Sequence, residues 1–562
     1  MCEQLQESSE AKGLVDRGVT EVLTPGSLLS ENLLESGESV YLAALAPPLP
    51  GEKEDEPRFG FAVADASTGE LRCGAASEEG VLAELSRVRV AEWLVPEGTE
   101  WSPGVAALIE GTGTMTALPV ADFPEDLSGL ERRFGGTRLP DDVRAAREVQ
   151  RAVGAVVQYL DRVQGGRAAQ LRAPEWVAPG ACLLLGREAQ ASLELFTSGT
   201  GVDTHTLWAV LRRTVTGAGA RRLRRWLERP LVDLGAIERR LDGVAYLAAE
   251  NAVREKLREQ LAATYDLERL TARLRAERAS PRDLVALRET LERLPDVRET
   301  AAGGPNLLTE VAGRLDPHAD LLDLLQRALV DEPPNVTHEG GLIRPGYDAE
   351  CDRLRAAARS GKEWMANFEA AERERTGIPS LKLGYNRVFG YYLEVTKTHT
   401  SRVPEDYERR QTLTNAERYV APELKRMEGE VLGAEEKQKH AEQACFLSVR
   451  SRAAACADTL APAAEGLAVL DALAALAEVA VREGFARPQV HGGDAIRVRG
   501  ARHPVVERNL GAGRYVPNDF DVDGTERQIL LVTGPNMGGK STYLRTLGLL
   551  VVLAQAGSFV PA

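Results

Sequence analysis

The sequence predicts a multidomain protein that combines α/β regions with a long all-α middle. Its 562 residues are too many for a single hydrophobic core, and the length suggests about three to five domains. Strand-like apolar runs occur near both ends, whereas residues 168–361 show helical spacing almost throughout. A glycine-rich motif typical of phosphate binding stands close to the end of the chain.

The composition is typical of a soluble globular protein, with 43% hydrophobic and 27% charged residues. No apolar run reaches membrane-spanning length, and Met1 to Gln4 lacks the basic start of a signal peptide. The net charge of −15 argues against a protein that coats nucleic acid nonspecifically, but it leaves room for local basic surfaces. We therefore expect a cytoplasmic protein with no membrane partner.

The cysteines are scattered without C-x-x-C pairing, and the histidines form no H-x-x-x-H pair. In a chain of this size, such cysteines indicate reduced thiols in a cytoplasm. The sequence therefore predicts neither a disulfide framework nor a metal site built from protein side chains alone. The cysteines are Cys2, Cys73, Cys182, Cys351, Cys445 and Cys456.

The first α/β region begins at Val40, with strand-like runs separated by turn signals. Ser77, followed by two glutamates, is expected to cap a helix, and a further strand comes after it. Strands, a helix and another strand predict a small α/β domain that reaches about Gln164. The strand-like runs are 40–45, 59–64, 71–73 and 93–95.

The middle of the chain is predicted to be helical, with a capped turn between two helices at 280–283. A β-rich stretch interrupts it, because the alternating runs 381–385 and 390–396 are typical of a hairpin. Helical spacing returns after Pro422. The economical interpretation is one helical domain with a small domain inserted at its far tip.

Seven arginines crowd the segment from Arg212 to Arg229. Leu223, Trp226 and Leu227 would supply the apolar stripe of a packed helix there. We interpret the arginines as solvated helix faces paired with nearby glutamates, and not as a surface for nucleic acid.

The glycine-rich motif fits the pattern G-x-x-x-x-G-K-[ST]. The apolar run 528–533 before it predicts a buried parallel strand, and residues 541–556 after it favour a helix. In that context backbone N–H groups would surround nucleotide phosphates, Lys540 would reach the β- and γ-phosphates, and Ser541 would bind Mg²⁺. The motif comprises Gly534, Pro535, Asn536, Met537, Gly538, Gly539, Lys540 and Ser541.

A nucleoside triphosphatase of this class also needs a later apolar strand that ends in an acidic pair, which holds the metal ion and the water. The sequence stops 22 residues after Lys540 (562 − 540), before any such strand. We therefore expect the isolated chain to be inactive as an ATPase.

His503 and Pro504 are typical of a structural turn and not of a catalytic site.

Two other segments are candidates for function. Tyr515 precedes the motif and either stacks on a nucleotide base or packs in a core; its spacing leaves both open. Arginines, amides and hydroxyls between Arg409 and Tyr419 suit contacts to sugar-phosphate, and an ordinary exposed turn is the alternative.

A set of short segments along the chain carries a family resemblance. They are Leu193–Phe196, Thr214–Leu227 with Pro230, Gly340–Tyr347, Arg375–Pro379, Leu383–Asn386, Phe389–Tyr392, Gln411–Leu413, Asn415–Tyr419, Arg502–Glu507, Thr533–Thr542 and Gly557–Pro561. Together they resemble the MutS family of DNA mismatch-repair ATPases, of the bacterial type with connector and clamp domains. The likeness runs essentially from Glu3 to Ala562.

The resemblance implies an architecture of five regions. In order, they are a remnant of a mismatch-recognition domain and linker (1–36), an RNase H-like connector (37–165), a helical core and lever domain (166–361 and 422–487), an inserted β-rich clamp (362–421), and the start of an ABC-type P-loop ATPase domain (488–562).

The implied function is DNA mismatch repair. The complete protein would bind mispaired or looped double-stranded DNA and use ATP binding and hydrolysis to switch to a sliding clamp. The family resemblance further implies a homodimer, a MutL-type repair partner, and a place in the bacterial cytoplasm in association with the nucleoid.

The resemblance also implies roles for individual residues. Residues 534–542, Thr542 included, would bind the ATP phosphates together with Mg²⁺, and Tyr515 would stack on adenine. Lys540 and Ser541 would be catalytic. The contacts to the duplex backbone would come from Arg410, Asn415 and Arg418.

The sequence departs from the family pattern at both ends. The family detects mismatches with a Phe-x-Glu motif in an N-terminal domain, but Phe59 is the first phenylalanine here and Phe123-Pro-Glu125 lies in the predicted connector. We therefore expect a fragment of a longer protein. The alternatives are a MutS-like DNA clamp that reads no mismatch and binds ATP without hydrolysing it, and a relative that serves recombination.

Overall fold

The computed structural model describes residues 2–4, 17–19, 22–29, 33–48, 58–135, 139–165, 170–178, 180–386, 390–511, 513–535 and 538–562. The chain divides into two units. The first comprises Met1–Arg278, Glu289–His318 and Ala454–Ala562, and the second comprises Ala279–Arg288 and Ala319–Ala453. Within the described residues, no helix combines the length and the apolar character needed to cross a membrane.

The first unit begins with strands β1 (Cys2–Gln4) and β2 (Arg17–Val19), an antiparallel pair. A six-stranded mixed sheet follows, built from β3 (Tyr41–Ala46), β4 (Phe59–Asp65), β5 (Glu70–Ala76), β6 (Val90–Pro96), β7 (Thr114–Leu118) and β8 (Glu175–Trp176). Its strand order is β7-β6-β3-β4-β5-β8. Strands β3, β4 and β5 form an antiparallel meander, and β6 joins β3 in parallel. The predicted strand-like runs correspond to β3, β4, β5 and β6, whereas β7 and β8 were not predicted, and β8 lies beyond the predicted end of the α/β region at about Gln164.

Helices cover both faces of this sheet, so every residue of the central strand β3 is buried. Ser77 caps α1 as predicted, since its hydroxyl accepts a hydrogen bond from the N–H of Gly80 at 3.4 Å. The helices of this region are α1 (Glu78–Leu85), α2 (Pro103–Thr112), α3 (Leu127–Arg133), α4 (Asp141–Ala145) and α5 (Arg147–Val163).

The predicted helical middle is confirmed. The capped turn is a reciprocal capping box, in which the N–H of Asp283 donates to the Ser280 hydroxyl at 3.2 Å and the N–H of Ser280 donates to the Asp283 carboxylate at 2.8 Å. The helices are α6 (Arg187–Ser192), α7 (Leu207–Leu211), α8 (Gly217–Glu228), α9 (Leu234–Ala249), α10 (Asn251–Ala262), α11 (Leu267–Arg275), α12 (Pro281–Ala302), α13 (Asn306–Gly313), α14 (Ala319–Ala328), α15 (Ala349–Thr376), α16 (Pro422–Ala455) and α17 (Ala457–Glu483).

Helix α17 is the centre of the helical part of the first unit. It is buried on nearly all sides from Ala463 to Ala480 and packs against α8, α9, α10, α11 and α13. A helix that is apolar all round is expected at the middle of a bundle.

The second unit contains the predicted β insertion. Strands β9 (Lys382–Asn386), β10 (Gly390–Thr396), β11 (Glu408–Thr412) and β12 (Ala416–Val420) form an antiparallel sheet in the order β11-β12-β10-β9. The predicted hairpin is the β9–β10 pair. Phe389 lies outside the described residues.

The chain ends in the first unit with β13 (Ile496–Ala501), α18 (Pro504–Leu510), β14 (Asn518–Val522) and α19 (Lys540–Ala556). Strands β13 and β14 pair antiparallel and have no other strand partner among the described residues.

The arginines of α8 are paired with carboxylates, as predicted, but the prediction that they are solvated is wrong. The Arg221 side chain is 1% exposed, and its guanidinium lies 2.8 Å from the carboxylates of both Asp266 and Glu268. Burial alone would lower the pKa of Arg221, but these two carboxylates raise it above its usual value. The arginine is therefore a fixed charge inside the protein.

A second α8 arginine reaches the six-stranded sheet. Arg225 pairs with the buried Glu70 at the start of β5, and Arg229 just beyond α8 pairs with Glu84 of α1. Burial by itself would raise the pKa of Glu70, but Arg225 and Arg72 lower it to about 2. Partly buried ion pairs therefore connect this region to α8 of the helical core.

The start of α8 is held by a carboxylate from α17. Asp471, which is fully buried, accepts hydrogen bonds from the N–H of Val215 at 3.0 Å and of Thr216 at 2.8 Å, and from the Thr216 hydroxyl at 2.6 Å. Gly219 is required here, because a Cβ atom on it would lie 2.1 Å from the Asp471 carboxylate. The carboxylate thus satisfies backbone donors that the helix itself leaves unpaired.

We expect Asp471→Ala to destabilise the first unit by roughly 2–4 kcal/mol, because two buried backbone N–H groups lose their acceptor. Urea unfolding followed by circular dichroism measures this change. The matched control is Asp323→Ala, which removes a 60% exposed carboxylate paired with Arg327 on its own helix and should cost less than about 1 kcal/mol. Equal losses in the two variants would contradict the assignment.

Candidate nucleotide site

The predicted phosphate-binding motif ends in a helix, as expected. Helix α19 begins at Lys540, and its N-cap Gly539 has φ +81° and ψ 10°, a left-handed conformation that favours glycine. The N–H of Gly538 donates to the carbonyl of Pro535 at 3.1 Å and so tightens the loop. Ser541 follows at the exposed first turn. Asn536 and Met537 lie outside the described residues.

Lys540 is turned onto its own loop. Its ammonium group donates hydrogen bonds to the carbonyls of Gly534 and Pro535, the second at 3.2 Å. The Lys540 ammonium group and the positive N-terminal end of α19 therefore lie at the same loop. This combination suits a phosphate anion.

The phosphate-loop helix is anchored to the helical core by its far end. Gln555 and Leu231 exchange two hydrogen bonds. The Leu231 N–H donates to the backbone carbonyl of Gln555 at 2.9 Å, and the Gln555 side-chain amide donates to the backbone carbonyl of Leu231 at 3.0 Å. The Arg240 guanidinium, stacked on Trp226 of α8, donates to the carbonyl of Ala556 at 3.0 Å. These contacts join residues more than 300 positions apart, so no local sequence signal could have revealed them.

The prediction of a buried strand at 528–533 is wrong. These residues, all of them described, form no strand, and Ile529 and Leu531 are 91% and 84% exposed. A parallel strand needs a neighbouring strand for its backbone hydrogen bonds, and the described part of the chain brings none beside this run. An apolar pattern alone cannot supply that partner.

Two tyrosines, Tyr515 and Tyr543, flank the candidate loop in sequence. Tyr515 is half-buried in a bend before β14. Tyr543, on the first turn of α19, contacts the Phe520 ring at 4.3 Å between centroids and donates to the Asp519 carbonyl at 3.1 Å. Tyr543 therefore ties α19 to β14, whereas stacking of Tyr515 on adenine stays a prediction.

His503 is structural, as predicted. It is 2% exposed, and its ring nitrogen caps α18 by accepting the N–H of Val506 at 3.4 Å. Burial, with help from Arg545, lowers the pKa of His503 to about 4. The histidine is therefore neutral at physiological pH and serves as a cap.

The three residues predicted to bind DNA lie together in the four-stranded sheet of the second unit. Arg410 sits at a bulge in β11, where its exposed guanidinium pairs with Glu408 at 3.0 Å. Asn415 is exposed in the turn between β11 and β12. Arg418 is held by Glu394 at 3.0 Å and lies over the Tyr392 ring, so its charge is already compensated.

Comparison with known proteins places these features in a family. The chain matches the model of MutS domain III over residues 188–477, which is more than half its length. It also matches MutS domain II over 40–172 and MutS domain V over 530–562.

The chain belongs to the MutS family.

Curated members of the MutS family align with the whole chain. A protein named DNA mismatch repair protein MutS from Symbiobacterium thermophilum is 41% identical over 575 residues, which cover 100% of this chain and 65% of the relative. The protein of the same name from Pelotomaculum thermopropionicum is 38% identical over 577 residues, with 66% of its length covered. DNA mismatch repair protein MutS 2 from Halobacterium salinarum is 42% identical over 574 residues, with 64% covered. The chain thus spans about 65% of the length of the MutS relatives it matches.

The lowered pKa of His503 predicts a stability change with pH. Between the usual value of 6.5 and about 4, the histidine binds a proton in the unfolded chain but not in the folded one, so stability falls as pH falls through this window. The loss should total about 3 kcal/mol. His503→Asn keeps a capping oxygen and should remove this part of the pH dependence.

Urea unfolding at a series of pH values from about 7.5 to about 4 measures the effect. His338→Asn, a change at an exposed histidine, is the matched control. If His503→Asn leaves the pH profile of the parent unchanged, the assignment of His503 is incorrect.

Proposed function

We propose that this chain acts in DNA mismatch repair as part of an ATPase that binds duplex DNA and uses ATP to switch to a sliding clamp. Membership of the MutS family and similarity to relatives named DNA mismatch repair protein MutS support this proposal. The observation that carries it is the glycine-capped start of α19, where Lys540 lies at a helix N-terminus. The far end of the same helix is anchored to the helical core.

In this proposal residues 534–542 bind the phosphates of ATP, and the Ser541 hydroxyl holds Mg²⁺. The fit rests on the donor set, because an exposed hydroxyl beside a lysine at a helix N-terminus suits a metal-bound phosphate. Lys540 would exchange its contacts with the Gly534 and Pro535 carbonyls for phosphate oxygens. Bound Mg²⁺ would neutralise phosphate charge.

The architecture proposed for the complete protein follows the family. The six-stranded sheet would be an RNase H-like connector, the β insertion a clamp, and the last residues the start of an ABC-type ATPase domain. The complete protein would be a homodimer that works with a MutL-type partner on mispaired or looped DNA.

The proposed stacking of Tyr515 on adenine has a direct test. Tyr515→Ala should weaken ATP binding by roughly 1–3 kcal/mol, whereas Tyr515→Phe should be nearly silent because the ring face makes the contact. Binding of a fluorescent ATP analogue in the presence of Mg²⁺ measures both. Tyr265→Ala, which removes a 49% exposed ring from another part of the chain, is the control.

Equal loss in Tyr515→Ala and Tyr515→Phe would rule out stacking, and no loss in either would remove Tyr515 from the site. Lys540→Ala should abolish binding in the same assay. If it does not, the phosphate loop is not the nucleotide site.

Duplex binding through the β insertion would depend on charge. Arg410, Asn415 and Arg418 would contact the sugar-phosphate backbone, which positions a protein without reading sequence. The exposed pair between Arg410 and Glu408 is worth little, so Arg410 is available to phosphate. Arg418 would first have to leave Glu394.

We expect duplex affinity to fall steeply with salt, with a log–log slope of roughly −0.9 for each phosphate neutralised. Arg410→Ala should make that slope shallower by about one unit. Arg418→Ala should change it less, because Glu394 already compensates the charge. Fluorescence anisotropy of a labelled duplex across a salt series measures the slopes.

Arg327→Ala, which removes a 64% exposed arginine from α14, is the matched control and should leave the slope unchanged. A slope that responds equally to Arg327→Ala and Arg410→Ala would show that binding is diffuse and not centred on the β insertion.

A further inference from the structure

Two cysteines and an aspartate meet in the second unit, at a place that the proposed function does not use. The sulfur atoms of Cys351 and Cys445 are 3.6 Å apart, although the residues are 94 positions apart in sequence. One carboxylate oxygen of Asp348 lies beside the two sulfurs, and these three potential ligand atoms are all within 4.8 Å of one another. The sequence predicted no metal site, since neither C-x-x-C nor H-x-x-x-H spacing marks this cluster.

The fold orients each member of the cluster. Asp348 is the N-cap of α15, and one of its carboxylate oxygens accepts the N–H of Cys351 at 2.9 Å. Cys351 is fully buried on the first turn of α15, and Cys445 faces it, half-buried, from α16. The aspartate is therefore fixed by the backbone of one of the cysteines that it lies beside.

We propose that Asp348, Cys351 and Cys445 bind a thiophilic divalent cation of the zinc class, with water as the fourth ligand. Two thiolates and one carboxylate form a soft, anionic donor set of the kind that zinc accepts. Asp348 and Cys445 are only half-buried, so solvent reaches the cluster and would supply the water ligand.

The spacing of the sulfurs favours a metal ion over a disulfide. Two sulfurs that each lie about 2.3 Å from a tetrahedral zinc ion are about 3.8 Å apart. The observed 3.6 Å is close to that value. A disulfide needs about 2.05 Å, so the two sulfurs would have to move about 1.5 Å closer together.

The binding step is balanced without a redox reagent. Each thiol loses its proton to solvent as a metal–sulfur bond forms, and the carboxylate is already an anion. Arg355, which is on the same helix as Cys351, is engaged elsewhere, because it pairs with Asp352 at 2.8 Å and with Glu442 at 3.0 Å. The ion would tie the start of α15 to the second half of α16.

Cadmium titration of the metal-depleted chain tests the site. The protein is kept reduced with a phosphine, which does not contribute thiols, and the ultraviolet absorption of cadmium–thiolate bonds is followed. We expect one strongly bound equivalent per chain, displaced by Zn²⁺, and a rise in thermal midpoint with either metal.

Three variants separate the site from background thiols. Cys445→Ser should abolish the strong equivalent, and Cys456→Ser, at another half-buried cysteine, should leave it unchanged. Asp348→Asn retains the helix cap but loses the anionic ligand, and it should weaken binding roughly ten- to a hundredfold. Because Asp348→Asn preserves the cap, it decides the matter if Cys445→Ser fails to fold.

Results of three kinds, from the parent chain, from the variants and from oxidation in air, would overturn the proposal. One is the absence of a saturable equivalent in the parent chain. Another is equal cadmium binding in Cys445→Ser and Cys456→Ser, or unchanged affinity in Asp348→Asn. The third is a chain that forms a Cys351–Cys445 disulfide in air and, once reduced by the phosphine, binds no cadmium.

Discussion

The junction between α8 and α17 is the contact on which the rest of the first unit depends. Asp471 of α17 accepts the backbone donors at the start of α8, and Gly219 allows the two helices to come that close. Arg225 of α8 pairs with Glu70 of the six-stranded sheet. Trp226 of α8 stacks with Arg240, which binds the far end of α19. A displacement of α8 would therefore disturb its contacts with both the six-stranded sheet and α19.

The charges around α8 are largely buried, and burial changes how much each ion pair contributes to the free energy of unfolding. An exposed ion pair is worth about 1 kcal/mol at most, whereas removal of one partner from a buried pair leaves an uncompensated charge that costs roughly 3–5 kcal/mol. Arg221 with Asp266 and Glu268, and Arg225 with Glu70, are of the second kind. They fix the orientation of α8, since a buried guanidinium has few alternative partners.

The candidate nucleotide loop has two contrasting sides. Downstream of it, α19 is fastened to the core through Leu231, Gln555 and Arg240. Upstream, Ile529 and Leu531 are exposed and lack strand partners within the described chain. The helix end of the site is thus built by contacts within this chain, and an apolar segment on the other side offers surface that a neighbouring strand could cover.

The sequence by itself determined much of the local structure: the strands β3 to β6 of the first sheet, the cap at Ser77, the capping box at 280–283, the β9–β10 hairpin and the helix after Gly539. Each depends on periodicity or on a side chain within a few residues. The phosphate-binding motif and the family resemblance were also recognisable, because each consists of short runs of residues that are adjacent in sequence. Tertiary structure alone decided that Arg221 is buried, that Arg225 pairs with the buried Glu70, that 528–533 is largely exposed, and that Cys351 meets Cys445. Burial and pairing depend on partners far along the chain.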